Sequence, residues 1–423
     1  MSAAPIRGVK AWFWVSEPLA ARTAPVTPFL LVATFLLSAC VSNGSYESRS
    51  APAIAALAPA SPPASFAPAQ PPAPTGRVPS PGEHEGQALL DRLLPASIAN
   101  RSGWSADILA AFSALRIPLL AENLCAAIAV IEQESSFQAD PVVPGLSHIA
   151  WQELEKRRDK YGIPKIVLDL ALSKTSADGR SYRERIDSLR TERQMSVLYD
   201  DLISAVPAGR TLLSGYNPVR TGGPMQVSVA FAEEQTRSRP YPFVRPGSLR
   251  DEVFTRRGGV YFGIAMLLDY PASYSRMLYR FADFNAGRYS SRNAAFQAAV
   301  ARLSGRPLAL DGDLLRYQDG VPMATVGNTE RALSALQRRL DLDQAAMRRD
   351  LALEKSAAFE QTRLYRRLFA VADAATGEPQ ARERLPQIEL KSPKISRRLT
   401  TEWFARRVDT RYRACLERKP LAS

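Results

Sequence analysis

Glu132 and Glu134 lie in the run Glu132-Gln133-Glu134-Ser135-Ser136-Phe137, directly after Leu124–Ile131, eight residues without a charge. A carboxylate beside apolar walls loses the solvation of its charged form, so burial favours the protonated acid. A Glu that keeps its proton at neutral pH is what general-acid catalysis requires. Glu134 is therefore the candidate acid. The competing reading makes Glu132 and Glu134 solvated charges at a helix end. The chain has two histidines, His84 and His148, and neither sits in a ligand pattern. That argues against a His-based metal site and a Ser-His-Asp triad, and no residue pattern asks for a cofactor.

The element that must position Glu134 is the uncharged run itself. A surface helix would show a polar stripe; this run predicts a helix buried on most sides. Helical spacing recurs on both sides of it. It appears in ALLDRLLP and WSADILAAFSAL before it, and in WQELEKRRDKYG, PKIVLDLALS and SYRERIDSLRTERQMSVLYDDLISAV from Ile149 to Val206, with a turn at Ser176–Gly179. MQVSVAFAEEQT predicts a further helix. GGVYFGIAMLLDY has helical spacing with Gly258, Gly259 and Gly263 inside it, and glycines there suggest close helix contact or a local break. Further helices are expected at Tyr274–Phe284, Arg292–Leu303, Asp343 to about Ala372, and Arg397–Leu416. No sustained alternation of period two occurs, so the fold class expected is mostly α.

Composition bounds the rest. The 423 residues are 46% hydrophobic and carry a net charge of +13. The charge is uneven: Lys391–Lys419 holds ten Lys/Arg against Glu402, Asp409 and Glu417. Such a bias suits an anionic neighbour, with a solvated helical face as the plainer reading. The N-terminus selects among anions. Arg7, Lys10 and Arg22 precede the apolar run Pro28–Ala39, which is too short for a comfortable membrane span. It ends in Leu37-Ser38-Ala39-Cys40, which resembles the lipobox of bacterial lipoproteins. That likeness implies a signal peptide over 1–39, lipid on Cys40, a mature N-terminus there, and periplasmic residence on the outer membrane of a Gram-negative cell. A protein so placed meets no nucleic acid. Residues 40–85 are Ala/Pro/Ser-rich, with ten prolines between Pro52 and Pro81, and are expected to be a disordered tether. Cys125 and Cys415 both fall on apolar faces. In an oxidising compartment they can form a disulfide, or stand as two separate buried thiols.

Three short motifs follow one another: EQESSF at Glu132–Phe137, GGPMQVS at Gly222–Ser228 and ADFNAG at Ala282–Gly287. In this order they resemble the lytic transglycosylase family with its goose-type lysozyme-like fold, over roughly 110–305. More loosely, the whole chain looks like an uncharacterised group of proteobacterial lipoproteins. The resemblance implies a lysozyme-like core over 86–305, a helical insertion at about 149–206, and a helical C-terminal extension over 306–423 packed on that core. It implies Glu134 as single acid/base, Ser135 orienting substrate beside it, Met225 and Gln226 lining the sugar groove, and Phe284, Asn285 and Gly287 at a substrate-facing turn. The implied substrate is the peptidoglycan strand, cut between N-acetylmuramic acid and N-acetylglucosamine with closure of a 1,6-anhydro ring.

The chain departs from the family pattern at Pro224, where Leu is usual, and at Phe284, where Tyr is usual. Its first two motifs are also separated by 88 residues, from Glu134 to Gly223. Two alternatives stay open. One is a peptidoglycan-binding lipoprotein without chemistry. The other is a hydrolytic muramidase with Asp283 as second carboxylate, whose plainer reading is an ordinary surface Asp.

Overall fold

The structure, a computed structural model, describes residues 81–205, 217–318, 321–390 and 399–418. The expected signal peptide, Cys40 and residues 41–80 of the expected tether lie outside these residues, whereas 81–85, read as the end of the tether, begin the first helix. The folded unit is mostly helical, as the periodicity indicates, and the strands among the described residues form three antiparallel pairs of two residues each. No helix among the described residues is long and apolar enough to cross a membrane.

The first core is built on three early helices, α1 (Pro81–Leu93), α2 (Arg101–Leu115) and α3 (Ala121–Ser135). In α3, every residue from Leu124 to Ile131 has no exposed surface, which accounts for the missing polar stripe. Next in the chain come α4 (Leu146–Tyr161), α5 (Lys165–Ser173), α6 (Tyr182–Asp187) and α7 (Glu192–Ser204), which span the segment that the sequence likeness implies as an insertion. They pack a core of their own around Leu146, Tyr182, Ile186, Met195 and Leu198, closed by Val219 and Phe254.

The sequence reads Ser181–Val206 as one helix; the structure breaks it after Asp187. Thr191 accepts a hydrogen bond from the Gln194 amide, and the Gln194 side chain accepts one in return from the Thr191 amide. A reciprocal cap of this kind starts a new helix and outweighs the continuous periodicity.

Hairpin β1 (Thr221–Gly222) and β2 (Val227–Ser228) leads into α8 (Val229–Ser238), then α9 (Leu249–Val253), α10 (Arg256–Leu268) and α11 (Met277–Ala286). Asp107 of α2, buried, pairs with Arg256 at 2.5 Å and Arg257 at 3.2 Å and ties α2 to α10.

A third core forms between α12 (Ser290–Ser304) and α13 (Asn328–Ser334), α14 (Gln337–Leu340), α15 (Gln344–Leu351) and α16 (Arg363–Thr376). The expected helix from Asp343 to Ala372 is thus interrupted, with a 3-10 turn at Ala357–Gln361 between α15 and α16.

The last helix, α17 (Thr401–Leu416), leaves this third core and returns to the first. Phe404, Ala405, Val408 and Cys415 are all buried there, and α17 packs chiefly on α3 and α11. Residues assigned by sequence to an extension packed on the core therefore form part of the core itself. Cys125 of α3 and Cys415 of α17 are joined in a disulfide, their Cα atoms 5.5 Å apart.

Candidate functional site

Glu134 stands in the last turn of α3 and is 3% exposed. Ser135, fully buried, donates its hydroxyl to the carbonyl of Ile131 at 3.0 Å, so that hydroxyl serves its own helix. The chain then leaves the helix through two successive non-glycine residues in the left-handed region, Ser136 at φ 50 and Phe137 at φ 58. Phe137 is held there by an edge-on contact with Trp104 of α2, ring centroids 5.3 Å apart. Left-handed L-residues cost about 1–2 kcal/mol each, a strain that persists only where packing overrides it.

The second motif is the β1–β2 hairpin. Gly223 takes φ 72, and an added Cβ would meet the Val253 carbonyl oxygen at 2.1 Å, so no larger residue fits. Met225 is fully buried in a notch made by Gly263 of α10. It packs rather than lining an open groove as the family likeness implies. Gly259 accepts Pro224 in the same way, which explains the glycines inside α10. Gln226 adopts φ 54; its Nε2 donates to the Gly223 carbonyl at 2.9 Å, so the amide folds back on its own turn.

The third motif ends α11. Gly287 takes φ 108 and Tyr289, two residues on, φ 68. Phe284 is half-buried against the first core. The Asn285 Oδ1 accepts a hydrogen bond from the Thr401 hydroxyl of α17 at 2.8 Å.

Asp283, considered as a second catalytic carboxylate or a surface Asp, is neither. It is fully buried and accepts from the Tyr270 hydroxyl at 3.1 Å, the Tyr274 hydroxyl at 2.6 Å, the Tyr289 amide at 2.8 Å and the Ser291 amide at 2.7 Å. All these partners belong to the chain, so it fastens the start of α12 to α11. Burial outweighs those hydrogen bonds and pushes its carboxyl up to about 6.

All three motifs therefore contribute to one core: Phe137, Met225 and Ala282 are buried in the same apolar cluster. The helix laid over it is α17. Its Arg411 Nε lies 3.7 Å from a Glu132 oxygen. Burial pushes the Arg411 guanidinium down, while the charges of Glu132 and Glu134 pull it up, which sets Arg411 within electrostatic reach of Glu134. The buried atoms Gln133 Oε1, Asn285 Nδ2 and Arg407 Nε, on α3, α11 and α17, have no hydrogen-bond partner among the described residues. Buried polar atoms are nearly always paired, so their concentration in this layer is unusual. Cavities are found elsewhere among the described residues. One of about 550 Å³ is lined by Gln297, Asp311, Tyr317 and Asn328. Another of about 420 Å³ is lined by Tyr279, Arg302, Glu383 and Glu402. Neither contains Glu134.

A family model described as "Protein of unknown function (DUF1615)" matches residues 97–418. The chain belongs to this family. It is also similar to "Uncharacterized protein YaiW" of Escherichia coli (strain K12), with 51% identity over 324 residues, covering 77% of this chain and 87% of that protein. No solved structure matches it. The DUF1615 match takes in all three motifs, α4 to α7 and α17, and leaves residues 1–96 outside.

Sequence reasoning missed Thr401 and Arg411, the α17 residues that meet the motif helices. The only available signal was the run of arginines from Arg406 to Arg413, which reads equally well as a solvated face.

Proposed function

We propose that this chain is a lytic transglycosylase acting on peptidoglycan glycan strands, held on the periplasmic side of the outer membrane by lipid on Cys40. One observation carries the reading. Three motifs distant in sequence supply one core, and each has a non-glycine residue in the left-handed region within it or just after it. Of the seven such residues in the described structure, Asn100, Arg116, Ser136, Tyr289 and Asp341 cap helices, while Phe137 and Gln226 lie within the first two motifs and cap none. Left-handed backbone at Phe137 and Gln226, which no helix cap calls for, is the kind of strain that collects at functional turns.

In the proposed reaction Glu134 protonates the oxygen linking N-acetylmuramic acid to N-acetylglucosamine. The muramic 6-hydroxyl then attacks the anomeric carbon and returns its proton to Glu134. The C1–O bond breaks, the 1,6-anhydro bond forms, and no water is consumed. One carboxylate suffices, in keeping with Asp283 being committed to the fold. Glu134 is 3% exposed, so a glycan strand reaches it only if its surroundings open, with α17 still fastened to α3 by the disulfide. The same closure favours a second reading, a lipoprotein that binds glycan strands without cutting them.

Purified sacculi incubated with the intact protein, followed by mass analysis of the products, separate these readings. Anhydro-ended muropeptides support the first. Co-sedimentation without release supports the second. Products with reducing ends mean that water is the acceptor, which overturns the anhydro-ring step. Glu134→Gln should bind strands and release nothing; full release by that variant would show that the acid is another residue.

A further inference from the structure

The insertion carries an apolar tip that its own core does not use. In α5 only Leu172 is buried, while Ile166 is 77% exposed, Leu170 68% and Val167 40%. Tyr161, at the end of α4, is 55% exposed. Ile166 and Leu170 are one helical turn apart, as are Val167 and Ala171, so the four make one continuous stripe. Soluble proteins seldom leave such a stripe to water without a purpose.

The charges around the tip have a definite sense. Over 151–174 there are six Lys/Arg and four Asp/Glu. Each carboxylate already has a cationic partner: Glu153 has Arg157, Glu155 and Asp159 share Arg158, and Asp169 has Lys165 and Arg183. Lys156, Lys160 and Lys174 form no ion pair among the described residues. Lys160 reaches over the Tyr161 ring, 5.4 Å from its centroid. An apolar stripe flanked by an aromatic ring and by long cationic side chains matches the water–lipid boundary. There the apolar groups enter the acyl region and the ammonium groups stay at anionic headgroups.

A second copy of the chain fits less well. It would set like surplus charges against each other. A nine-residue helix also offers far less than the roughly 800 Å² per partner that a stable protein interface uses. For a bilayer a small contact is enough when a tether already holds the unit nearby, since tethering raises effective concentration.

We propose that the α4–α5 tip, Tyr161 to Ala171, docks on an anionic phospholipid surface and so orients the folded unit on its membrane. This rests on the reading of Cys40 as the lipid anchor, and Cys40 and Pro81 are separated by only forty residues.

The test uses the intact lipoprotein reconstituted into vesicles of phosphatidylethanolamine with phosphatidylglycerol as minor component. A polarity-sensitive fluorophore is placed through Leu170→Cys, and in a control through Ala375→Cys on α16. Flotation reports the anchor; emission and quenching by nitroxides on the acyl chains report docking. The expected result is a blue-shifted, quenched probe at 170, an unshifted probe at 375, and loss of the shift at 170 when Ile166→Asp is added without change in far-UV dichroism. Flotation with a water-exposed probe at 170 overturns the docking inference alone. Absence of flotation together with a water-exposed probe overturns the anchor reading as well. An equal shift without vesicles that grows with protein concentration overturns docking in favour of self-association.

Discussion

Replacing Asp283 by Asn keeps its shape and removes its titratable proton. In the native chain one carboxylate oxygen accepts from Tyr270, Tyr274 and the Tyr289 amide, and the other from the Ser291 amide. The best placement of an Asn keeps its oxygen on the first three donors and turns its NH2 toward the Ser291 amide. That loses one hydrogen bond to a charged acceptor and opposes two donors, at a cost of about 2–3 kcal/mol near neutral pH. The pH dependence is the sharper test. Burial raises the native carboxyl from 3.8 to about 6. Between those values the folded chain holds a proton that the unfolded chain has released. Stability from this group is therefore complete below the unfolded value and is lost as pH rises through the folded one, by about 3 kcal/mol in all. The substituted amide does not titrate in this range. The stability gap between the native protein and Asp283→Asn should thus be about 2–3 kcal/mol wider near pH 4 than near pH 7. Urea unfolding followed by far-UV dichroism at both pH values measures it. A gap that stays constant, or widens toward pH 7, would show that the four donors hold the carboxylate ionised and that burial does not dominate.

Removing the disulfide with Cys125→Ala and Cys415→Ala opens a loop whose ends are 290 residues apart. Chain entropy puts the loss at up to about 5–6 kcal/mol, read from unfolding midpoints with and without reductant. Gly263→Ala drives a methyl to 2.3 Å from the Met225 sulfur. It should cost about 1–3 kcal/mol, and much less in a Met225→Ala background, which a double-mutant cycle resolves. Thr401→Val removes the hydroxyl that bonds Asn285; about 1 kcal/mol should be lost, with faster hydrogen exchange confined to the start of α17.

The elements were largely legible in the sequence because hydrophobic period reports burial directly. The uncharged run of α3 and the glycines of α10 announced a buried helix and a close approach, and both are present. Periodicity does not say which core a face enters. For that reason α17 read as an addition to the fold, although Phe404 and Val408 complete its first core. Nor does it register caps: Thr191 splits a pattern that would run through unbroken. The candidate site was less legible. Asp283 beside Phe284 and Asn285 looks the same on the page whether it faces sugar or four donors of its own chain. Arg411 reads as one more surface cation until α17 is laid against α3. Met225 was expected at a groove because of the likeness alone, and the notch at Gly263 that takes it depends on a helix 38 residues further on.

The pairing of α3 with α17 sets an order of events for the growing chain. The most apolar stretch, Leu124–Ile131, is made early, and the helix that shields it is the last one described. During synthesis that stretch waits for almost three hundred residues to follow before its last cover is made. A product cut short before Thr401 would therefore keep its insertion and its third core, yet expose its greasiest surface to chaperones and proteases.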